Sequence, residues 1–286
     1  MKVAGFTIIR NAVKCDYPIV EAITSVLPLC DEFIAAVGDS EDNTLDLIRS
    51  IRSDKIKIIE TSWERKSDRA HTFAQQTDIA FQAVSADADW AFYIQADEAL
   101  HEKYIPVVKE AMLRHLPNPA VEGLLFNYLH FYGSYDYVGE SWRWYRREIR
   151  VVRNNKNIFS YGDAQGFRVK PNRKLNVKLI PAAIYHYGWV KPPAAMLVKC
   201  REWETYYNRE HTVSEETEFD YSKVDALQLF DGEHPAPLKA RIASINWTFN
   251  FDVTKKKYSA KEKIKRLISR MIGYRIGEYK NYKLMP

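Results

Sequence analysis

Apolar residues along this chain fall into short continuous runs separated by amphipathic stretches. Val3-Ala4-Gly5-Phe6-Thr7-Ile8-Ile9, Phe33-Ile34-Ala35-Ala36-Val37 and Trp90-Ala91-Phe92-Tyr93-Ile94 have strand length and almost no polar alternation, the pattern of strands covered on both faces. Lys55–Glu60 alternates as another strand. Between these runs the period changes to that of helices. One helix begins near Pro18, carries Ile19, Ala22, Ile23 and Val26, and is closed by Pro28. A second carries Leu45, Ile48 and Ile51, and a third over Ala70–Ala86 aligns Phe73, Thr77, Ala80, Phe81 and Val84. Strand–helix repetition at this spacing predicts parallel strands joined by right-handed crossovers. Ligands of such sheets sit at the strands' carboxyl ends, where Arg10-Asn11, Asp39 and Asp97 fall.

Beyond residue 120 the regular helical interludes stop. Gly123–Phe131, Glu148–Arg153 and Leu175–Tyr187 read as strands separated by loops. From Pro193 the chain turns helical, with Met196, Cys200, Trp203 and Tyr207 on one stripe. A looser region over 210–237 holds a short helix around Val224–Phe230, and Ser259–Gly277 forms a basic helix with an Ile264-Leu267-Ile268-Met271 face.

A length of 286 residues suits one large α/β domain, or one such domain with a smaller appendage. Three cysteines, Cys15, Cys30 and Cys200, form neither a disulfide framework nor a metal-like spacing, which fits a reducing compartment. The N-terminus reads as a strand and not as a signal peptide, and no run reaches the roughly 18 apolar residues of a membrane span. A cytoplasmic location is expected. Charge is unevenly spread: between Lys255 and Lys283 eleven Lys or Arg face only Glu262 and Glu278, an excess of +9 that leaves the rest of the chain near −4. A basic tail on a near-neutral body points to a polyanionic partner, an anionic membrane surface or a nucleic acid.

The chemistry concentrates at Trp90–Leu100, where the apolar run ends abruptly in Gln95-Ala96-Asp97-Glu98. Carboxylates delivered to a sheet edge are hard oxygen ligands, suited to Mg²⁺ or Mn²⁺ and hence to the diphosphate of a nucleotide. Acids at a helix N-terminus are the competing account. Ser141–Arg147 interleaves aromatics with arginines, a stacking platform and phosphate clamp or simply two faces of an exposed strand.

The order of these features resembles family 2 glycosyltransferases of the GT-A fold over roughly residues 1–190. It is carried by Ile8-Ile9-Arg10-Asn11, the acidic loop Gly38–Thr44 after the second strand, and Gln95–Glu98 in place of an Asp-x-Asp motif. Ala96-Asp97-Glu98 with the later His186-Tyr187-Gly188-Trp189 resembles the branch of lipopolysaccharide-core and other envelope-polysaccharide transferases. The resemblance implies a Rossmann-like mixed α/β sheet flanked by helices. It divides the chain into a catalytic domain over 1–190 and a helical extension over 191–286 with a basic amphipathic tail. It further implies inverting transfer of a sugar from a nucleotide-diphosphate donor to a glycan, lipid-linked or other hydroxyl acceptor.

Donor contacts are then expected at Arg10, Asn11, Asp39, Gln95 and Asp97, with Lys191 reaching the diphosphate. The family carries Asp where this chain has Gln95, so a divalent cation would rest on Asp97, His186, the diphosphate and water. Imidazole beside carboxylate favours Mn²⁺ over Mg²⁺. Deprotonation of the attacking hydroxyl needs a base, for which Asp163 and Glu98 are the candidates. The tail, residues 255–283, is either an interfacial helix on an anionic membrane or a packed helix with a solvated basic face. Two other enzymes or binders remain open. A catalytically silent sugar-nucleotide- or glycan-binding relative fits Gln95, whereas a sugar-1-phosphate nucleotidyltransferase needs a Gly-rich loop that Ile8–Lys14 lacks. Acidic loops at the sheet edge speak against a nucleic-acid partner.

Overall fold

The computed structural model describes residues 1–63, 71–207, 217–272, 275 and 277–286. In its first half β1 (Val3–Ile9), β2 (Glu32–Gly38), β3 (Ile56–Thr61) and β4 (Trp90–Tyr93) alternate with α1 (Ile19–Val26), α2 (Thr44–Arg49) and α3 (His71–Gln82). All four strands are mutually parallel, with β1 between β2 and β4. Alternate side chains of β1 explain its unbroken apolar run. Val3 and Ile9 pack with Ile19, Ile23 and Val26 of α1, while Phe6 and Ile8 pack with Phe81 of α3 on the other face.

The second half adds β5 (Glu98–Leu100), α4 (Ile105–His115), β6 (Gly123–Tyr132), β7 (Ser134–Gly139), β8 (Arg147–Arg153), β9 (Ile158–Tyr161), β10 (Gly166–Val169), β11 (Arg173–Lys174) and β12 (Asn176–Trp189). It ends in α5 (Pro193–Tyr207), β13 (Leu227–Leu229), α6 (Lys239–Ala243), α7 (Ala260–Ile272) and β14 (Lys283–Leu284). The main path of the large sheet runs β13-β7-β6-β8-β4-β1-β2-β3, with β12 pairing β5, β6 and β14, while β9, β10 and β11 form a small separate sheet. This is the expected Rossmann-like mixed sheet flanked by helices. Strand β8 lies antiparallel to β4 and carries the sheet into its mixed half.

Three local expectations change. The segment around Val224–Phe230 is not a helix, because β13 pairs antiparallel with β7, Gln228 opposite Val138, and buries Leu227. The unassigned stretch after Leu100 contains α4, which places Val108 and Met112 in the core. The third helix runs His71–Gln82, and the first residue expected of it, Ala70, lies outside the described residues. The division expected at residue 190 falls between β12 and α5, although β13 and β14 from the later segment join the large sheet.

Candidate functional site

The carboxyl ends of β1, β2 and β4 lead into Arg10-Asn11, Asp39 and Gln95–Asp97 along one edge of the sheet, as expected of a parallel sheet with a strand-order reversal at β1. Beside them opens a cavity of about 650 Å³. Its walls bring together Arg10, Asn11, Gln95, Asp97, Asp163 and His186, six of the residues expected from sequence. The size falls within the roughly 300–1,000 Å³ of small-molecule sites.

Asp97 and His186 face each other across the floor. Asp97 Oδ2 lies 3.8 Å from His186 Nε2 and accepts a hydrogen bond of 2.8 Å from Lys199 Nζ, which also donates to the Gly188 carbonyl at 2.8 Å. Burial by itself would raise the Asp97 carboxyl, but Lys199, His186 and Lys191 outweigh it and hold it well below the usual carboxylate range. His186 is brought to the floor by β12, where it sits opposite Glu98 of β5 on one side and His130 of β6 on the other. Burial pushes the His186 and His130 imidazoles down, so both are neutral. His130 Nε2 donates to the Tyr145 carbonyl at 2.9 Å, which makes its Nδ1 the acceptor for His186 Nδ1–H at 3.3 Å. This network leaves a lone pair on His186 Nε2, toward Asp97.

Gly188 keeps the space between them open. A Cβ there would stand 2.5 Å from His186 Nε2 and 2.7 Å from Asp97 Oδ2. A carboxylate oxygen and an imidazole lone pair across such a gap are a donor set that fits a Mn²⁺- or Mg²⁺-sized cation. Among the described residues, no group of three His, Cys, Asp or Glu side chains could hold a metal. A cation here therefore needs further oxygens from a ligand or water.

The upper wall is built on β1, β2 and α5. Asn11, with a positive φ of 52°, accepts from Glu41 N at 2.8 Å and donates to Glu202 Oε2 at 3.2 Å. Arg10 donates to Tyr206 Oη at 2.8 Å and to Asp39 Oδ1 at 3.2 Å. Asp39 does not itself line the cavity; it accepts from Trp63 N at 3.2 Å and so fixes two residues that do, Arg10 and Trp63. Gly38 makes room for that tryptophan, since a Cβ there would lie 2.5 Å from Trp63 Nε1. Gln95 donates to the Ala164 carbonyl at 3.3 Å, tying the β4 end to the β9–β10 loop that carries Asp163.

Besides Asp39, which was expected to touch the donor, two further expectations are corrected. Glu98 is fully buried beneath the cavity, where it accepts from Arg150 Nε at 2.8 Å and Nη2 at 2.5 Å, from Gln95 N at 3.0 Å, and from Tyr128 Oη. A carboxylate enclosed by four donors has no path to an acceptor hydroxyl, so it is a structural ion and not a base. Lys191 is also fully buried, donates to the Asp16 carbonyl and sits 4.8 Å from the Tyr17 ring centre, outside the cavity wall. Burial, with Lys199 adding, pushes its amine down to about 7. It cannot reach a diphosphate without leaving that seat.

Sequence reasoning missed Lys199, His130, Glu202, Tyr206 and Arg150. The aromatic–arginine segment does reach the cavity, through Arg143, Trp144 and Tyr145. Of the expected α5 stripe, Met196 is buried in the core and Trp203 lines the cavity.

No family model matches the chain, and no curated protein does. Solved structures resemble it weakly. Staphylococcus aureus TarS in complex with UDP gives 18% identity over 46% of this chain and 37% of that one, with a TM-score of 0.35. Mycobacterium tuberculosis glucosyl-3-phosphoglycerate synthase in complex with Mn²⁺, UDP and phosphoglyceric acid gives 18% identity over 45% and 43%, with a TM-score of 0.31. The 4-diphosphocytidyl-2C-methyl-D-erythritol synthase of Anaerococcus prevotii gives 12% identity over 73% and 96%, with a TM-score of 0.40. The chain spans less than half of the first two of these proteins. At TM-scores this low the likenesses carry no argument about fold or activity.

Proposed function

We propose that this protein is a GT-A glycosyltransferase of family 2 type, transferring a sugar from a nucleoside-diphosphate donor to a hydroxyl acceptor with inversion. The observation that carries this reading is the floor of the cavity. Asp97 and His186 stand 3.8 Å apart across the gap left by Gly188, at the carboxyl edge of a parallel sheet. The donor lies along that edge, with its nucleoside against the wall of Arg10, Asn11 and Trp63 and its diphosphate at the floor. Asp97 and His186 would hold a divalent cation there, which would supply positive charge beside the diphosphate. Asp39 and Lys191 act indirectly, by fixing the wall. Asp163, on the opposite loop, takes the proton of the acceptor hydroxyl as its oxygen bonds the anomeric carbon and the bond to the diphosphate breaks.

The acceptor enters from the side of Arg143, Trp144 and Tyr145. Residues 191–286 form the extension, and α7 within it presents Ile264, Leu267, Ile268 and Met271 to solvent, the last 79% exposed. Among the described residues no helix is long and apolar enough to cross a membrane. An exposed apolar ridge within a strongly basic segment suits an anionic membrane surface, and we place the protein peripherally at the cytoplasmic face.

A panel of nucleoside diphosphates and their sugar conjugates, read by thermal shift and by release of free sugar, tests the reading. Stabilisation with slow hydrolysis of one conjugate is expected. Stabilisation without hydrolysis would identify a binding-only relative, and no stabilisation by any member would refute the donor site.

A further inference from the structure

A second cavity of about 570 Å³ lies between the Trp142–Ile149 segment and the C-terminal residues of the chain. It adjoins the first, because Arg143, Trp144, Tyr145 and Gln165 line both. Five cations border it: Arg143, Arg147, Lys261, Lys265 and Arg275. Its three acids are already matched. Glu278 accepts two hydrogen bonds from Arg146, at 2.8 and 2.6 Å, and Glu262 accepts from Trp142 N at 2.9 Å and lies 3.4 Å from Arg266. Burial raises the Glu148 carboxyl to about 8, which leaves it mostly protonated at neutral pH. Neither Arg146 nor Arg266 is among the lining cations. Arg275 lies 3.9 Å from Glu278 and Arg143 4.0 Å from Asp225, so the surplus lining charge rests on Arg147, Lys261 and Lys265, next to flat aromatic surface from Trp142 and Tyr279.

Helix α7 forms one wall. Lys261, Glu262 and Lys265 turn toward this cavity, while Ile264, Leu267, Ile268 and Met271 are exposed. On this helix the stripe of cations thus adjoins a stripe of exposed apolar side chains. Building on the transferase reading above, we infer that this second cavity is the acceptor site and that it recognises a phosphate group carried by the acceptor. Arginine and lysine supply the charge-assisted hydrogen bonds that phosphate oxygens take up, and the shared wall leads the acceptor hydroxyl to the donor. The phosphate belongs either to a lipid-linked glycan presented at the membrane or to a soluble phosphorylated sugar.

Tryptophan fluorescence at Trp142 and Trp144 reads the test, with octyl phosphate, octyl glucoside and glucose 6-phosphate as probes. Octyl phosphate should bind at least tenfold more tightly than the neutral octyl glucoside. Charge reversal in Lys261→Glu with Lys265→Glu should weaken octyl phosphate at least tenfold while leaving the thermal shift by UDP unchanged. The milder Lys261→Gln with Lys265→Gln pair should lose part of the affinity, and it covers the case in which charge reversal disturbs folding. Comparable binding of glucose 6-phosphate supports a soluble phosphorylated acceptor, and much weaker binding supports a lipid-linked one. Equal affinity for octyl glucoside, or phosphate binding untouched by either pair, would overturn the inference. Phosphate binding without any UDP binding would uphold this site and remove the donor reading alone.

Discussion

Replacement of Glu98 by glutamine separates a structural from a catalytic carboxylate. Glu98 and Arg150 have side chains 0% and 1% exposed, and Arg150 donates to both carboxylate oxygens, at 2.5 Å to one and 2.8 Å to the other. The remaining valences are filled by Gln95 N and Tyr128 Oη. Glutamine keeps the shape but removes the charge and turns an amide NH₂ toward a shell in which Tyr128 Oη alone can accept. Arg150 is left with the Ile149 carbonyl at 2.9 Å, Glu148 Oε2 at 3.7 Å and the Tyr93 and Tyr128 rings at 5.5 and 5.3 Å, and Glu148 is itself mostly protonated at neutral pH. Breaking a buried pair in this way costs about 3–5 kcal/mol. At roughly 2 °C per kcal/mol for a chain of this size, Tm should fall by about 6–10 °C. Differential scanning calorimetry at neutral pH measures it. The Glu98→Leu and Arg150→Met double variant, which removes both charges, should recover most of the loss. A Glu98→Gln protein that melts within 2 °C of the parent, a margin of about 1 kcal/mol, yet loses turnover would refute the structural assignment.

Other consequences follow from the same geometry. Gly188→Ala puts a methyl 2.5 Å from His186 Nε2, so it should cost about 1–3 kcal/mol in chemical denaturation and abolish the thermal shift by nucleoside diphosphates; normal ligand binding would disprove the role given to this glycine. Glu148 has an ordinary value of 4.5 and is raised to about 8, so the folded chain holds a proton that the unfolded chain releases between those values. Its contribution is complete below pH 4.5 and is lost as pH rises toward 8, with a slope of at most about 1.4 kcal/mol per unit. Glu148→Gln should flatten that slope in urea melts from pH 5 to 8, and a slope equal to the parent's would contradict the raised value. Because Asp97 and His186 supply only two donors, Mn²⁺ should remain unbound to the protein alone by electron paramagnetic resonance and bind once UDP is added; saturable binding without nucleotide would contradict the two-donor site. Leu267→Asp with Met271→Asp should abolish retention on vesicles containing anionic lipid, and equal retention would argue that α7 is not the docking face.

Much of the first hundred residues was legible because a parallel strand covered on both faces leaves an unbroken apolar run. The expected strand Val3–Ile9 coincides with β1, and the three strand ends fall where the acidic and polar loops begin. Edge strands offer no such run. Leu227–Leu229 is a strand because β7 supplies its partner, which sequence periodicity over three residues cannot reveal. Helix α4 hides behind an early Pro106 and a core face reduced to Val108, Ala111 and Met112.

The site was readable at its strand ends and obscure elsewhere. Asp97 and Glu98 are neighbours in sequence but part company at the start of β5, one facing the cavity and the other the interior, where Arg150 waits fifty-two residues away. Only the sheet brings that arginine to the glutamate. Lys191 and Lys199 differ in sequence by eight positions, and nothing local says that the second contacts Asp97 while the first is buried behind Tyr17. His130 could have been suspected only from the pairing of β6 with β12, which sets it beside His186.

The account stands on the claim that the floor beside Asp97 and His186 receives a diphosphate. Crystals soaked with UDP and Mn²⁺ test it directly. Density for the diphosphate at that floor, with the base against the Arg10 and Trp63 wall, is the expected result. An empty cavity at saturating nucleotide, or UDP bound at another surface, would contradict it.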